Sequence, residues 1–218
     1  APGLLAERID PGLLAKIANR LPAGAVVVAG TNGKTTVSRM LADILQAHGY
    51  RVAHNRSGSN LARGVASAFA SQAGLSGRPR ADIAVIESDE AALPAMIDRL
   101  QPSVLLLNNL FRDQLDRYGE LDSIASSWRT ALQRLPADTT VVVNADDPTL
   151  TAITDGLTAK RIAFGLDDRN PAYLLSELPH AADAKTCRRC GASDTRAPTT
   201  SHPATKRSWS APAHIYRR

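Results

Sequence analysis

Six short runs of aliphatic and β-branched residues recur along the first 165 positions. They are Val26–Ala29, Tyr50–His54, Ala81–Ile86, Ser103–Leu107, Thr140–Val143 and Lys160–Gly165. The third run is apolar without alternation, the pattern of a strand covered on both faces, and the fourth, Ser103–Leu107, also reads as a buried strand. Between the runs, apolar residues return every three or four positions, the period of an amphipathic helix. Asp10 followed by Pro11 reads as an N-cap and first helical position, opening a short helix through Ala18. The next helix is predicted over Lys34–His48, with Val37, Met40, Leu41, Ile44 and Leu45 on one face and Gly49 as its stop. Further helices are predicted over Leu61–Ala73, Pro94–Leu100 and Leu121–Leu135, and a short one after Pro148. Strands alternating with helices specify an α/β fold with a doubly wound, mostly parallel sheet. In such sheets ligands gather outside the carboxyl ends of the strands. Polar clusters follow the first five strands at that end.

The first of these clusters carries the most specific chemistry. Val26–Ala29 runs into Gly30-Thr31-Asn32-Gly33-Lys34-Thr35-Thr36, which opens the Lys34 helix. Strand, glycine turn and helix N-terminus together form an anion cradle of backbone N–H groups at the positive end of a helix dipole. Gly33 lets the backbone approach a phosphate, Lys34 adds a point charge on β/γ-phosphates, and the Thr35 hydroxyl reaches Mg²⁺. The general P-loop form G-x-x-x-x-G-K-[ST] is not fully met, because Val28 stands at the first glycine. Gly30 through Thr36 are the expected ATP-binding residues, with Lys34 catalytic. The alternative is a turn that merely caps a helix.

Charge changes the picture by where it lies. The 218 residues carry a net +5. Lys185–Arg218 holds eight Lys/Arg and one acid, Asp194, which leaves 18 basic and 20 acidic side chains in the rest. The basic excess belongs to the tail, so the folded part offers no groove for nucleic acid. No run is long and apolar enough to span a bilayer, and no secretory pattern opens the chain. A cytoplasmic location is expected. The chain starts at Ala1-Pro2 without methionine, so an N-terminal piece is expected to be missing.

Three other groups of residues bear on chemistry. Glu87, where the third strand ends, is the expected Mg²⁺ carboxylate and a catalytic candidate, since acids are rarely buried without a partner. Asp89 and Glu90 read either as metal-site acids or as contacts to the N-terminus of the next helix. Asn144-Ala145-Asp146-Asp147-Pro148 reads either as an Asx-turn opening a helix or, through Asn144, as a contact to adenosine or substrate. Cys187 and Cys190 form one C-x-x-C pair, half of a structural zinc site. His202 and His214 fit no compact knuckle with it, and an unoccupied half-site or a dithiol are the alternatives.

The glycine loop, G-T-N-G-K-T-T, resembles the ATP-binding loop of the Mur ligase superfamily. The segment Asn109-Leu110-Phe111-Arg112-Asp113-Gln114-Leu115-Asp116-Arg117-Tyr118-Gly119-Glu120 is similar to one branch of it, the MurT-like subunits of lipid II isoglutaminyl synthase. Asn55-Arg56-Ser57-Gly58-Ser59-Asn60 and Asn144–Pro148 fit the same branch. The resemblance implies ATP-dependent activation of the D-glutamate α-carboxyl of lipid II as an acyl phosphate. A GatD-like glutaminase partner would supply the ammonia for D-isoglutamine. It also implies substrate contacts from Asn55, Ser57, Asn60, Asp113 and Arg117, and a Cys₄ zinc ribbon begun by Cys187 and Cys190, whose second pair is absent. Many Mur ligases carry a histidine where Gln114 stands and a carbamylated lysine on the following helix. Trp128–Leu135 contains no lysine, so the positions of a second Mg²⁺ are unmatched.

The expected organisation is an N-terminal helix and lead-in over 1–24, a central ATP-binding domain over 25–184, a partial zinc-ribbon knuckle over 185–191, and a disordered basic tail over 192–218. The tail reads as aberrant sequence after a truncation, and the chain alone is expected to be inactive in amidation. Two other classes stay open. One is another Mur-type ligase acting on a folate or muramyl peptide; the other is a non-catalytic nucleotide-binding remnant.

Overall fold

The computed structural model describes residues 12–55, 80–111 and 120–165. Their elements, in chain order, are α1 (Leu13–Ala18), β1 (Ala25–Ala29), α2 (Lys34–Ala47), β2 (Val52–His54), β3 (Ile83–Ser88), α3 (Leu93–Leu100), β4 (Val104–Leu107), α4 (Glu120–Leu132), β5 (Thr140–Asn144), α5 (Pro148–Ile153) and β6 (Lys160–Phe164). The strands form one sheet in the order β2-β3-β1-β4-β5-β6. Every pair is parallel. This is the predicted doubly wound α/β sheet. Among the described residues, no helix is long and apolar enough to cross a membrane.

Two layers cover the sheet. Helices α1, α3, α4 and α5 pack on one face, around Leu14, Ile17, Met96, Ile97, Trp128, Leu132, Leu150 and the inward side chains of β1, β3, β4 and β5. Helix α2 packs on the other face, with Val37, Leu41 and Leu45 against Val26, Val28, Ile83 and Val85. Burying each such aliphatic side chain contributes about 1.5–3 kcal/mol. Strands β1 and β3 are buried along their whole length, as continuous apolar runs require. β4 and β5 instead alternate between buried and half-buried residues. The expectation of a buried fourth strand is corrected here: α2 lies mainly over β1, β2 and β3, and Val104 and Leu106 at the margin of its cluster are left half-buried.

Several boundaries also move. Helix α1 starts at Leu13 behind an N-cap at Gly12, two residues after the predicted Asp10. In α2, Met40 and Ile44 are exposed, so the apolar face is the narrower stripe of Val37, Leu41 and Leu45. Strand β3 begins at Ile83 and runs on through Glu87 and Ser88, which pair with Val28 and Ala29 of β1. Helix α4 gives way to tighter turns after Leu132, because Pro136 bars the helical conformation at Leu135. The predicted helix over Leu61–Ala73 and the residues after Gly165, including the predicted knuckle and tail, lie outside the described residues.

Candidate nucleotide site

Strand β1 stops at Ala29 and the chain turns through Gly30–Gly33 into α2. Gly30 has φ +156°, and a Cβ there would sit 3.0 Å from the backbone N and O of Asn109. Gly33 is the N-cap of α2 in the left-handed conformation, φ +78°. A side chain at Gly33 would also meet Asn108 Nδ2 at 3.1 Å. Both glycines are therefore demanded by backbone geometry. Val28 lies inside β1, fully buried and paired with Leu106 and Glu87. The position that takes glycine in the general motif is here a core strand residue, which is why the short form of the motif suffices.

The loop is braced from the end of β4. Thr31 N–H donates to the Asn109 carbonyl at 3.0 Å. Asn32 N–H donates to Asn109 Oδ1 at 2.8 Å, while Asn108 Nδ2 and Asn109 Nδ2 donate to the Asn32 carbonyl at 2.8 and 3.0 Å. Thr31 Oγ1 donates to the Phe111 carbonyl and accepts from the Phe111 N–H. Six hydrogen bonds thus fix the loop without using the N–H groups that open α2. Those first N–H groups have no partner within the helix, which is what suits a helix N-terminus to an anion.

Thr35 Oγ1 donates to Glu87 Oε1 at 2.8 Å. Glu87 is 3% exposed, the penultimate residue of β3, on the side facing α2. Its peptide is held in turn by Asn55, which is 2% exposed. Glu87 N–H donates to Asn55 Oδ1 at 2.9 Å, and Asn55 Nδ2 donates to the Glu87 carbonyl at 3.1 Å. Beyond β2 the Asn55 side chain therefore does for Glu87 what the next strand residue would do. Ser38 Oγ donates to the Thr35 carbonyl at 3.2 Å and lies 3.3 Å from His54 Nε2, joining β2 to the first turn of α2.

Lys34 Nζ donates to the Thr31 carbonyl at 3.0 Å and lies 3.5 Å from Glu90 Oε2. Glu90 thus points to the loop and not to the start of α3, whose first turn holds no acid. At the end of β5, Asn144 forms the Asx-turn anticipated from its sequence. Its Oδ1 accepts from the Asp146 N–H at 3.0 Å, and its Nδ2 donates to the Asn108 carbonyl at 2.9 Å. Asp147 caps α5 through Thr149 and Leu150 N–H, and its other oxygen accepts from Leu110 N–H at 2.7 Å.

Lys34, Thr35, Glu87 and the loop glycines are thus brought together, with Asn55 behind Glu87 and Asn144 behind Asn108. Ser57, Asn60, Asp113, Arg117, Cys187 and Cys190 lie outside the described residues. Asn108, Asn109 and Trp128 are not among the site residues that the sequence predicts, and the contact of Glu90 with Lys34 is not foreseen there. Only the Asn-Asn pair at a strand end carried a signal that could have found them. The donor set fits Mg·ATP: one hydroxyl and one buried carboxylate beside phosphate-binding N–H groups leave room for the phosphate and water oxygens that Mg²⁺ prefers. Among the described residues, no three His, Cys, Asp or Glu side chains converge.

Residues 28–194 match the Mur ligase middle domain. The chain is 37% identical over 147 residues to the MurT subunit of lipid II isoglutaminyl synthase (glutamine-hydrolyzing) from Staphylococcus aureus strain COL, covering 67% of this chain and 32% of that one. The MurT subunit from Streptococcus pneumoniae is likewise 37% identical over 147 residues, with the same shares of the two chains. The chain therefore spans about a third of the length of these curated relatives. The crystal structure of MurF from Acinetobacter baumannii superposes with a TM-score of 0.57 at 21% identity, covering 71% of this chain and 33% of that one, and shares the fold. On the match over residues 28–194, joined to the parallel sheet and its glycine loop, the chain belongs to the Mur ligase family.

Proposed function

We propose that this chain is the nucleotide-binding part of an ATP-dependent carbon–nitrogen ligase of the MurT type. The observation that carries the reading is the 2.8 Å contact between Thr35 and Glu87 beside Lys34, at the mouth of the glycine loop. Identity of 37% to two MurT subunits of lipid II isoglutaminyl synthase supports lipid II as the substrate and amidation as the reaction.

The chemistry asked of these residues is positioning and charge neutralisation, which suit phosphoryl transfer. The N–H groups at the start of α2 hold phosphate oxygens, and Lys34 counters the charge on the β/γ-bridge. Thr35 and Glu87 would hold Mg²⁺, which when bound draws electron density from the γ-phosphate. A carboxylate oxygen, by our reading the α-carboxylate of lipid II D-glutamate, attacks the γ-phosphorus and ADP departs. Ammonia from a GatD-like glutaminase then attacks the acyl carbon. Inorganic phosphate leaves with the former carboxylate oxygen, and the nitrogen sheds a proton to give the amide. None of these steps needs a covalent nucleophile on the protein.

The first test is calorimetry of ATP with Mg²⁺ on wild type and Lys34→Ala. Binding by wild type and a much weaker titration by the variant support the loop as a nucleotide site. No binding by wild type removes it. Amidation is expected when a chain of the relatives' full length is joined to the glutaminase and given lipid II at the cytoplasmic membrane face. From these 218 residues alone, nucleotide binding without turnover is expected.

A further inference from the structure

We propose that Glu90 is a resident counter-ion for Lys34, from which the ammonium transfers to nucleotide phosphate on binding, so that Glu90 sets nucleotide affinity without touching the nucleotide. The proposal rests on the loop being a nucleotide site.

The sequence places a cation where a helix least accommodates one. Lys34 is the first residue of α2, whose first turn contains no acid. A lysine there stands in the positive end of the helix dipole, next to N–H groups of the same sign. When phosphate is present, the anion satisfies both. In its absence, another negative charge must do so. Glu90 supplies it: Oε2 lies 3.5 Å from Nζ, and the two side chains are only 12% and 22% exposed. An ion pair this far withdrawn from water is worth more than a surface pair.

Glu90 is built into position. The indole N–H of Trp128 donates to the Glu90 carbonyl at 2.8 Å. Trp128 is fully buried at the centre of α4. One residue earlier, the Asp89 carbonyl accepts from the N–H groups of Ala92 and Leu93 at 3.1 and 3.0 Å. The carboxylate thus springs from a backbone fixed on both sides. Lys34 has three N–H donors, one already given to the Thr31 carbonyl. Sharing the ammonium between Glu90 and a polyphosphate would bring two anions together around one cation. Exchange avoids that repulsion. Binding then costs the Lys34–Glu90 pair, which makes Glu90 a positioning residue acting through Lys34.

The experiment is calorimetric titration of Mg·ATP into wild type and Glu90→Gln, paired with melting curves of nucleotide-free wild type, Glu90→Gln, Lys34→Met and the double variant. Glu90→Gln should bind Mg·ATP more tightly by about three- to fivefold or more, since the upper end of the exposed-pair range is the floor for a pair this withdrawn from water. Its nucleotide-free Tm should fall below wild type, and saturating Mg·ATP should narrow the gap. In the Lys34→Met background the Glu90→Gln change should leave Tm unaltered. Wild type that binds while Glu90→Gln binds equally or more weakly overturns the counter-ion and leaves the loop reading standing. Additive Tm changes do the same, since the carboxylate would then stabilise the fold independently of Lys34. Failure of wild type to bind overturns both.

Discussion

Asn55 and Glu87 are joined side chain to main chain by two hydrogen bonds of 2.9 and 3.1 Å, both deep inside the protein, across 32 residues of sequence. The Asn55 amide completes the ladder on the β2 side of β3, and the carboxylate that faces Thr35 is aimed from that fixed peptide. Asn55→Ala would strand a buried N–H and a buried C=O, a loss of about 2 kcal/mol. A denaturant melt should show this loss, and Mg²⁺-dependent ATP binding should weaken beyond what the stability change explains. Equal stability of variant and wild type would contradict the ladder role.

Removal of the Thr35 hydroxyl leaves Glu87 without its 2.8 Å donor. Thr35→Val and Glu87→Gln should each lower ATP affinity in Mg²⁺ by about tenfold, the weight of one lost metal ligand or its orienting partner. Because the two side chains act on one ion, the double variant should be little worse than either single one. Calorimetry with Mg²⁺ and with EDTA checks this: all four proteins should bind alike once the metal is removed.

Acid should expose a different pair. The Arg51 guanidinium donates to Asp82 from Nε at 3.0 Å and from Nη2 at 2.5 Å, and the Arg51 backbone N–H adds a third bond at 2.9 Å. The side-chain bonds first, then the backbone one, pull the Asp82 carboxyl down to about 2. An unfolded Asp titrates near 4. A lowered folded value means that the stabilisation is present above about pH 4 and fades as pH falls toward 2. Asp82→Asn should flatten the pH dependence of Tm in that window and leave its slope near neutrality unchanged. Thermal melts from pH 2 to 7 test this, and an unchanged acid limb rules the pair out.

Asp147 offers a test of how β4 and β5 are tied. Its Oδ1 caps α5 and its Oδ2 receives Leu110 N–H at 2.7 Å. Asp147→Asn keeps the cap but turns an amide NH₂ toward that N–H. A loss of about 1–3 kcal/mol is expected from the unsatisfied buried donors. Asp147→Ala, which also loses the cap, should cost about 1 kcal/mol more. Equilibrium unfolding of both variants reads the difference.

The parts of the fold that follow from contiguous residues were legible before any coordinates. Gly30–Thr36 announces itself because strand end, glycine turn and helix start are all local, and the alternation of strands with helices implies parallel pairing. What depends on a distant partner was not. Glu87 and Ser88 look like the residues after a strand, yet β1 and the Asn55 side chain extend the ladder to include them. Asn55 sits in a polar loop that suggests substrate binding, and nothing near it signals that its amide is committed to Glu87. Glu90 lies 56 positions from Lys34, and no local rule pairs them. The apolar run of β4 suggests two covered faces, but coverage depends on where α2 comes to rest.

The contacts that make the loop a site span 52 residues from Thr35 to Glu87 and 77 from Asn32 to Asn109. Nucleotide binding is therefore a gauge of completed folding: the site cannot exist until β3 and β4 have both docked against β1. Non-local closure of this kind comes late and slowly. A ligand that recognises only the closed state adds its binding energy to the whole sheet. Saturating Mg·ATP should then raise the unfolding transition of the sheet as one unit.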